Sequence, residues 1–357
     1  MPSDQDKTNV SKAESLPGRT ILSLFAAAAL CTATPAAAQS VAEFYAGKQI
    51  NFIVGASPGG GYDTQARLVA RHLGKHIAGN PTIVVQNMPA AGSLAATNYI
   101  YNVAAKDGTV IALVMRGMLL IKNWNPTSVR FDLGRLNWLG SINSEVAVTA
   151  AWHTAPHKTA RDLFERELIV GGTTGVDPET TPRLFNALLG TKFKIIDGYP
   201  GTTEIILAME RGELQGIGDW SWSSMKAARP EWLRDKKITL LMQAALQKDP
   251  ELADVPSALD FVRNDADRKV MELYLTQKAV ARPVIAPPGI PTDRLTALRA
   301  GFIALAGDNE FLADAKKTRL DVAPISGEAV DKVISLITSA SPEAAERLGK
   351  AIAAVDK

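Results

Sequence analysis

The chain has 357 residues, with 39 Lys and Arg against 37 Asp and Glu, and a formal charge of +2. So even a balance supplies no basic stripe for nucleic acid, and a chain of this length ordinarily divides into two lobes. The single cysteine, Cys31, excludes a disulfide framework and a thiolate metal site.

The first segment reads as an export signal. Arg19 precedes an apolar stretch, Ile21 to Leu30, and Ala36-Ala-Ala38 supplies small residues for cleavage before Gln39. The stretch is too short for a permanent membrane helix. Leu30 stands before Cys31 where a lipoprotein signal would carry a small residue, so lipid attachment is not expected. Removal of residues 1–38 leaves no cysteine, which suits an oxidising compartment such as the periplasm. No later run is long and apolar enough to span a bilayer.

Residues 48 to 114 then alternate strand and helix. Lys48–Gly55 reads as a strand, Thr64–His76 as a helix, Thr82–Gln86 as a strand, Gly92–Tyr101 as a helix and Val110–Val114 as a strand. The strands are almost wholly apolar, as in a parallel sheet with helices on both faces. Between the first strand and helix lies Gly55-Ala-Ser-Pro-Gly-Gly-Gly-Tyr-Asp63. A glycine turn that opens a helix leaves unpaired N–H groups at the positive end of the helix dipole, a cradle for an anion. Ser57, Gly59, Gly60, Gly61 and Tyr62 are therefore candidate ligand contacts, with Asp63 expected to cap the helix. Asn87, Ala91, Gly92 and Ser93 form a second such turn, where Ser93 either caps the helix or donates to ligand. Arg116 follows the third strand, where its guanidinium either forks a carboxylate or lies on the surface.

The same order returns in the second half. Leu168–Val170 reads as a strand, Gly171–Gly175 as a glycine turn, Pro182–Leu189 as a helix and Phe193–Ile196 as a strand. Gly198–Gly201 is a second turn, Thr202–Met209 a helix and Leu214–Ile217 a strand. Thr173, Thr174, Gly175, Tyr199, Gly201 and Thr202 are the corresponding candidate contacts. Asp219-Trp220-Ser-Trp222 follows a strand end and reads either as a wall for the ligand or as packing between lobes. Ligands of open parallel sheets bind beyond the carboxyl ends of the strands, so four turns are expected around one cleft. A final strand, Ala279–Ala286, and helices Thr292–Ala306, Glu310–Lys317, Glu328–Ser339 and Pro342–Val355 complete the chain. The expected division is residues 39–141 plus 279–357 in a discontinuous first lobe and 142–278 in a second. The crossings would fall near Gly140–Asn143 and Gln277–Arg282.

Catalytic and metal motifs are missing from the sequence. There is no Gly-x-Ser-x-Gly elbow, no Walker ending and no dinucleotide spacing of the glycines. His72 with His76 and His153 with His157 lie four apart, but no glutamate completes a zinc motif. No metal and no cofactor are expected.

Five turns in register carry a family resemblance. Ser57-Pro-Gly-Gly-Gly-Tyr-Asp63 resembles the PPGGGTD turn of the tripartite tricarboxylate transporter substrate-binding proteins, the TctC/Bug family. Asn87-Met-Pro-Ala-Ala-Gly-Ser93 is similar to NRPGAGG, and Lys106-Asp-Gly-Thr109 stands in the place of PDGYT. Asp197-Gly-Tyr-Pro-Gly201 is similar to VPYKG, and Ala286-Pro-Pro-Gly-Ile-Pro291 to APAGTP. The resemblance covers nearly all of the chain after residue 38. Tyr62 departs from the usual Thr, and Gly-Gly-Thr-Thr-Gly175 only loosely fits SSGIGS. The family implies a type II periplasmic binding protein fold, two α/β lobes with a ligand cleft between them. It also implies a monomeric receptor that captures a small organic anion, a carboxylate. Its partners would be the small and large membrane subunits of a tripartite permease. Presentation of ligand to a membrane sensor kinase is the alternative binding role. An exported hydrolase or isomerase is disfavoured by the missing nucleophile and base.

Overall fold

The computed structural model describes residues 39–353. The expected signal segment with Cys31, and the last residues of the expected C-terminal helix, lie outside them. Eleven strands occur among the described residues: β1 (Gln49–Val54), β2 (Thr82–Asn87), β3 (Val110–Leu113), β4 (Asn137–Ser141), β5 (Ala147–Trp152), β6 (Leu168–Gly171), β7 (Phe193–Ile196), β8 (Gly216–Ser221), β9 (Ile238–Ala244), β10 (Pro283–Ala286) and β11 (Ile325–Ser326). They form two sheets, ordered β11-β4-β10-β3-β1-β2 and β7-β6-β8-β5-β9.

Both sheets are mixed, where the strand–helix alternation predicts parallel ones. In the first, β1 pairs in parallel with β2 and β3, while β10 runs antiparallel between β3 and β4. In the second, β6 pairs in parallel with β7 and β8, while β5 is antiparallel to both β8 and β9. Each parallel half comes from the strand–helix repeats; the antiparallel strands are those that the repeats do not reach.

Both faces of each sheet are covered, which explains the near-continuous apolar strands. On β1, Phe52 and Val54 join Leu68, Val69 and Phe302 in one buried cluster. Ile53 faces the other way, into a cluster with Leu94, Ile100 and Trp138. On β5, Val148, Ala150 and Trp152 pack with Ile205, Met209 and Trp232, while Ala147 and Ala151 join the cluster that contains Leu168, Leu184 and Phe185.

Helix starts differ from the sequence reading in a way that matters for the site. The helix after β1 spans Gly61–Leu73 with Gly60 as its N-cap, three residues earlier than the Thr64 start. Asp63 is thus inside the first turn, and its carboxylate accepts from the Gly59 N–H at 2.8 Å, from Asn87 at 2.9 Å and from Arg67 at 3.0 Å. The helix read as Pro182–Leu189 begins at Asp177. Asp177 and Glu179 sit in that first turn, where negative charge complements the helix dipole.

The chain passes from β4 to β5 and returns from the helix Asp265–Thr276 to β10. These two crossings lie side by side. The Ile142 N–H donates to the Arg282 carbonyl at 3.1 Å, Ala281 to Asn143 at 3.1 Å and Glu145 to Lys278 at 2.9 Å. The helix Pro342–Ala353 lies against the second-sheet helices Asp177–Leu189 and Asp265–Thr276, and Arg347 pairs there with Asp267. None of the described helices is long and apolar enough to cross a membrane.

Candidate ligand-binding cleft

The strand ends that the repeats bring together converge on adjoining chambers. An outer chamber of about 330 Å³ is lined by Gly55–Ser57 after β1, Pro89–Gly92 after β2, Met115, Thr173 and Thr174 after β6, and Gly198–Pro200 after β7. It takes in Ser57, Ala91, Gly92, Thr173, Thr174 and Tyr199 of the sequence candidates. An inner chamber of about 80 Å³ shares Met115 and Thr173 with it. Gly61, Tyr62, Arg116, Gly201, Thr202, Asp219 and Trp220 line this second space. A third cavity, about 340 Å³, continues past Gly61 and carries Gly59 and Gly60.

Two glycines are dictated by close approach. A Cβ on Gly61 would meet the Ser224 Oγ at 2.4 Å, and one on Gly92 would meet the Val176 Cγ1 at 2.3 Å. Gly92 also has φ +57°, in the left-handed region. Both contacts join a first-sheet turn to a second-sheet helix start.

Several candidates serve the scaffold instead of the cleft. Ser93 is fully buried; its hydroxyl donates to the Gly55 carbonyl at 2.7 Å and accepts from the Met115 N–H at 2.9 Å. It makes no side-chain cap bond and ties the end of β1 to the end of β3. The Asn87 amide donates to the Ala56 carbonyl and to Asp63, which fixes the glycine turn. The Gly175 N–H is taken by the Glu179 carboxylate at 2.6 Å. None of these three residues lines the chambers. Trp222 faces elsewhere: its indole N–H donates to Glu251 at 2.7 Å beside a cavity of about 480 Å³ behind the crossings. The wall expected from the Trp-Ser-Trp run is therefore Trp220 and Ser221.

A buried charge cluster forms part of the inner chamber's wall, where Arg116, Asp177 and Asp219 all line it. The Arg116 guanidinium, 3% exposed, pairs with Asp177 and reaches Asp219 at 3.3 Å. Lys278 completes the square, 3.3 Å from Asp177 and 2.8 Å from Asp219. Thr181 adds a hydrogen bond to Asp219 at 2.8 Å. Burial opposes charge on both partners, yet the Asp177, Tyr62 and Asp219 groups hold the Arg116 pKa above its ordinary value. Arg116 and Lys278 likewise hold the Asp177 carboxyl below its ordinary value. Arg116 thus lies neither on the surface nor open to a bidentate ligand carboxylate.

Sequence reasoning did not name Arg282, Ser224, Asp177 or Lys278 as site residues. Arg282 is 1% exposed and lines the inner chamber. Its guanidinium lies 4.2 Å from the centre of the Tyr62 ring and donates to Ser224 at 3.1 Å and Ser221 at 3.3 Å. The one signal available was its position in the Gln277–Arg282 crossing. The Tyr62 hydroxyl itself donates to the Ala281 carbonyl at 3.1 Å and accepts from the Arg116 N–H at 3.2 Å.

No family model matches the chain, and no curated protein matches it. Solved structures do. "Structure of periplasmic binding protein BugD" superposes with a TM-score of 0.66 at 19% identity, over 85% of this chain and 97% of that one. A TctC solute-binding protein from Polaromonas gives 0.58 at 18% identity, with the same two coverages, 85% and 97%. An R. palustris protein solved with adipate gives 0.67 at 18%, again over 85% and 97%. On this likeness and on its own two sheets, the chain has the type II periplasmic binding protein fold of the BugD- and TctC-like solute-binding proteins, two lobes with a cleft between them.

Proposed function

We propose that this chain is a TctC/Bug-family receptor. It is exported to the periplasm, captures a small organic carboxylate between its lobes and delivers it to a tripartite tricarboxylate-type permease. The observation that carries this reading is the convergence of glycine turns from both sheets on the outer chamber. The helix Gly61–Leu73 starts at the adjoining inner chamber, and a carboxylate is an anion that a helix start suits. The outer and inner chambers together reach the lower part of the roughly 300–1,000 Å³ range of small-molecule sites. The adipate in one similar structure supports a carboxylate as the ligand class. Histidine and cysteine are absent from the lining of both chambers, which supports a binding role over nucleophilic catalysis.

A thermal-shift series with adipate, succinate, malate and citrate tests the proposal. An acid at one hundred times its dissociation constant stabilises the fold by about 2.7 kcal/mol. Indifference to every acid at millimolar concentration refutes it.

A further inference from the structure

Three buried cations approach the inner chamber, and their situations differ. Arg116 and Lys278 each have two carboxylates, Asp177 and Asp219, so those four groups balance two against two. Arg282 has none. Among the described residues its hydrogen-bond acceptors are neutral: the Ala281 carbonyl at 3.1 Å and the hydroxyls of Ser221 and Ser224. Its Nε, buried, has no acceptor at all. The face of Tyr62 offers only a weak electrostatic partner.

A buried charge without a counter-charge is strongly unfavourable. A second orphan lies in the same chamber. The Thr173 hydroxyl, 7% exposed, has no hydrogen-bond partner among the described residues and sits where the inner chamber meets the outer one. Near Arg282, the N–H groups of the first turn of the helix Gly61–Leu73 have no intrahelical acceptor. An unpaired guanidinium, a free hydroxyl and a helix N-terminus all favour negative charge in one small space.

We propose that Arg282 is a specificity-determining residue, the charged anchor for one anionic head of the ligand, which enters the inner chamber while the ligand's body occupies the outer one. This rests on the receptor reading above and adds to it a site that discriminates by charge. The chamber's volume, about 80 Å³, admits a carboxylate head and excludes a ring. Asp177 and Asp219 line this chamber too, but both are paired with Arg116 and Lys278, so the guanidinium of Arg282 is the cation there without a carboxylate partner among the described residues.

The test compares adipate with adipamide, its uncharged isostere, by calorimetric titration of wild type, Arg282→Met and Arg282→Lys. Loss of a charge-assisted hydrogen bond corresponds to roughly 10- to 100-fold in affinity. Wild type is expected to prefer adipate over adipamide by at least about tenfold, Arg282→Met to lose that preference, and Arg282→Lys to keep part of it. In the absence of ligand Arg282→Met is expected to melt higher than wild type, because an uncompensated charge has gone, while its stabilisation by adipate shrinks. A merely structural arginine would lower the melting temperature instead, and that result overturns the proposal. An unchanged acid-to-amide preference in a folded Arg282→Met also overturns it and leaves the receptor reading intact. If wild type binds none of adipate, succinate, malate or citrate, both fall together. Should Arg282→Met not fold, Arg282→Gln decides, since it removes the charge and keeps a hydrogen-bond donor: an acid-to-amide preference equal to that of wild type refutes the anchor.

Discussion

Gly61 and Ser224 touch across the cleft so closely that the space for a Cβ on Gly61 is already filled by the Ser224 hydroxyl, 2.4 Å away. The contact joins the start of the first-lobe helix to the second-lobe helix Trp222–Ala228. The contact is made at the third glycine of the turn and not at the second, since a Cβ on Gly60 would meet nothing nearer than the Ser57 carbonyl at 3.7 Å.

Gly61→Val is accordingly expected to weaken adipate binding by at least about tenfold, as a close-packed contact cannot absorb three extra carbons. Gly60→Val is expected to change it little, because the Gly60 φ of −78° is open to any residue. Calorimetric titration of both variants checks the contrast. Equal losses would show that the turn, and not the lobe contact, is what matters.

The Arg116–Asp177 pair is a second point of leverage. Removal of one partner from a buried ion pair costs roughly 3–5 kcal/mol, since the other charge is left uncompensated. Arg116→Met should lose stability on that scale in urea denaturation. Arg116→Met combined with Asp177→Asn should lose less than the sum of the two single changes, because the orphaned charge is removed as well. Additivity would mean that the two side chains do not act on each other.

His157 governs an acid response. Its side chain is fully buried, and burial holds its pKa below the ordinary histidine value, against a bond to the Arg166 carbonyl that raises it. Above about pH 6.5 neither the folded nor the unfolded chain protonates this ring. As pH falls from there toward the lower folded value, the unfolded chain binds the extra proton and stability is lost. The melting temperature should therefore drop as pH falls below about 6.5, and His157→Gln should flatten that part of the curve. A curve identical in the variant would assign the acid response elsewhere.

Thr173→Val offers a milder probe. The hydroxyl has no partner among the described residues, so its removal should leave stability unchanged or raise it slightly. Affinity for adipate should fall several-fold if that hydroxyl meets the ligand. Chemical denaturation and titration on the same sample separate the two effects.

Local signals made the parallel part of each sheet readable, because strand, glycine turn and helix lie next to one another in sequence. The antiparallel strands β4, β5, β9 and β11 escaped notice. They lack a following glycine turn and helix and depend on partners far along the chain, as when β10 enters between β3 and β4. The site divides in the same way. Outer-chamber residues such as Gly92 and Thr173 sit on glycine turns and could be named. Arg282 and Lys278 carry no motif, and only the tertiary arrangement shows that one is balanced and the other is not. Ser93 misled because a hydroxyl at a turn looks alike whether it faces a ligand or a neighbouring carbonyl.

The two crossings, laced by backbone bonds at Ile142, Ala281 and Glu145, also carry Arg282 and Lys278. The pivot about which the halves would swing and the electrostatic floor of the pocket are thus the same stretch of polypeptide. On the proposed role of Arg282, stiffness and selectivity could not be tuned separately there. A replacement chosen to loosen the swing also shifts the potential that a solute feels, and one chosen to admit a different solute also alters the torque that brings the jaws together.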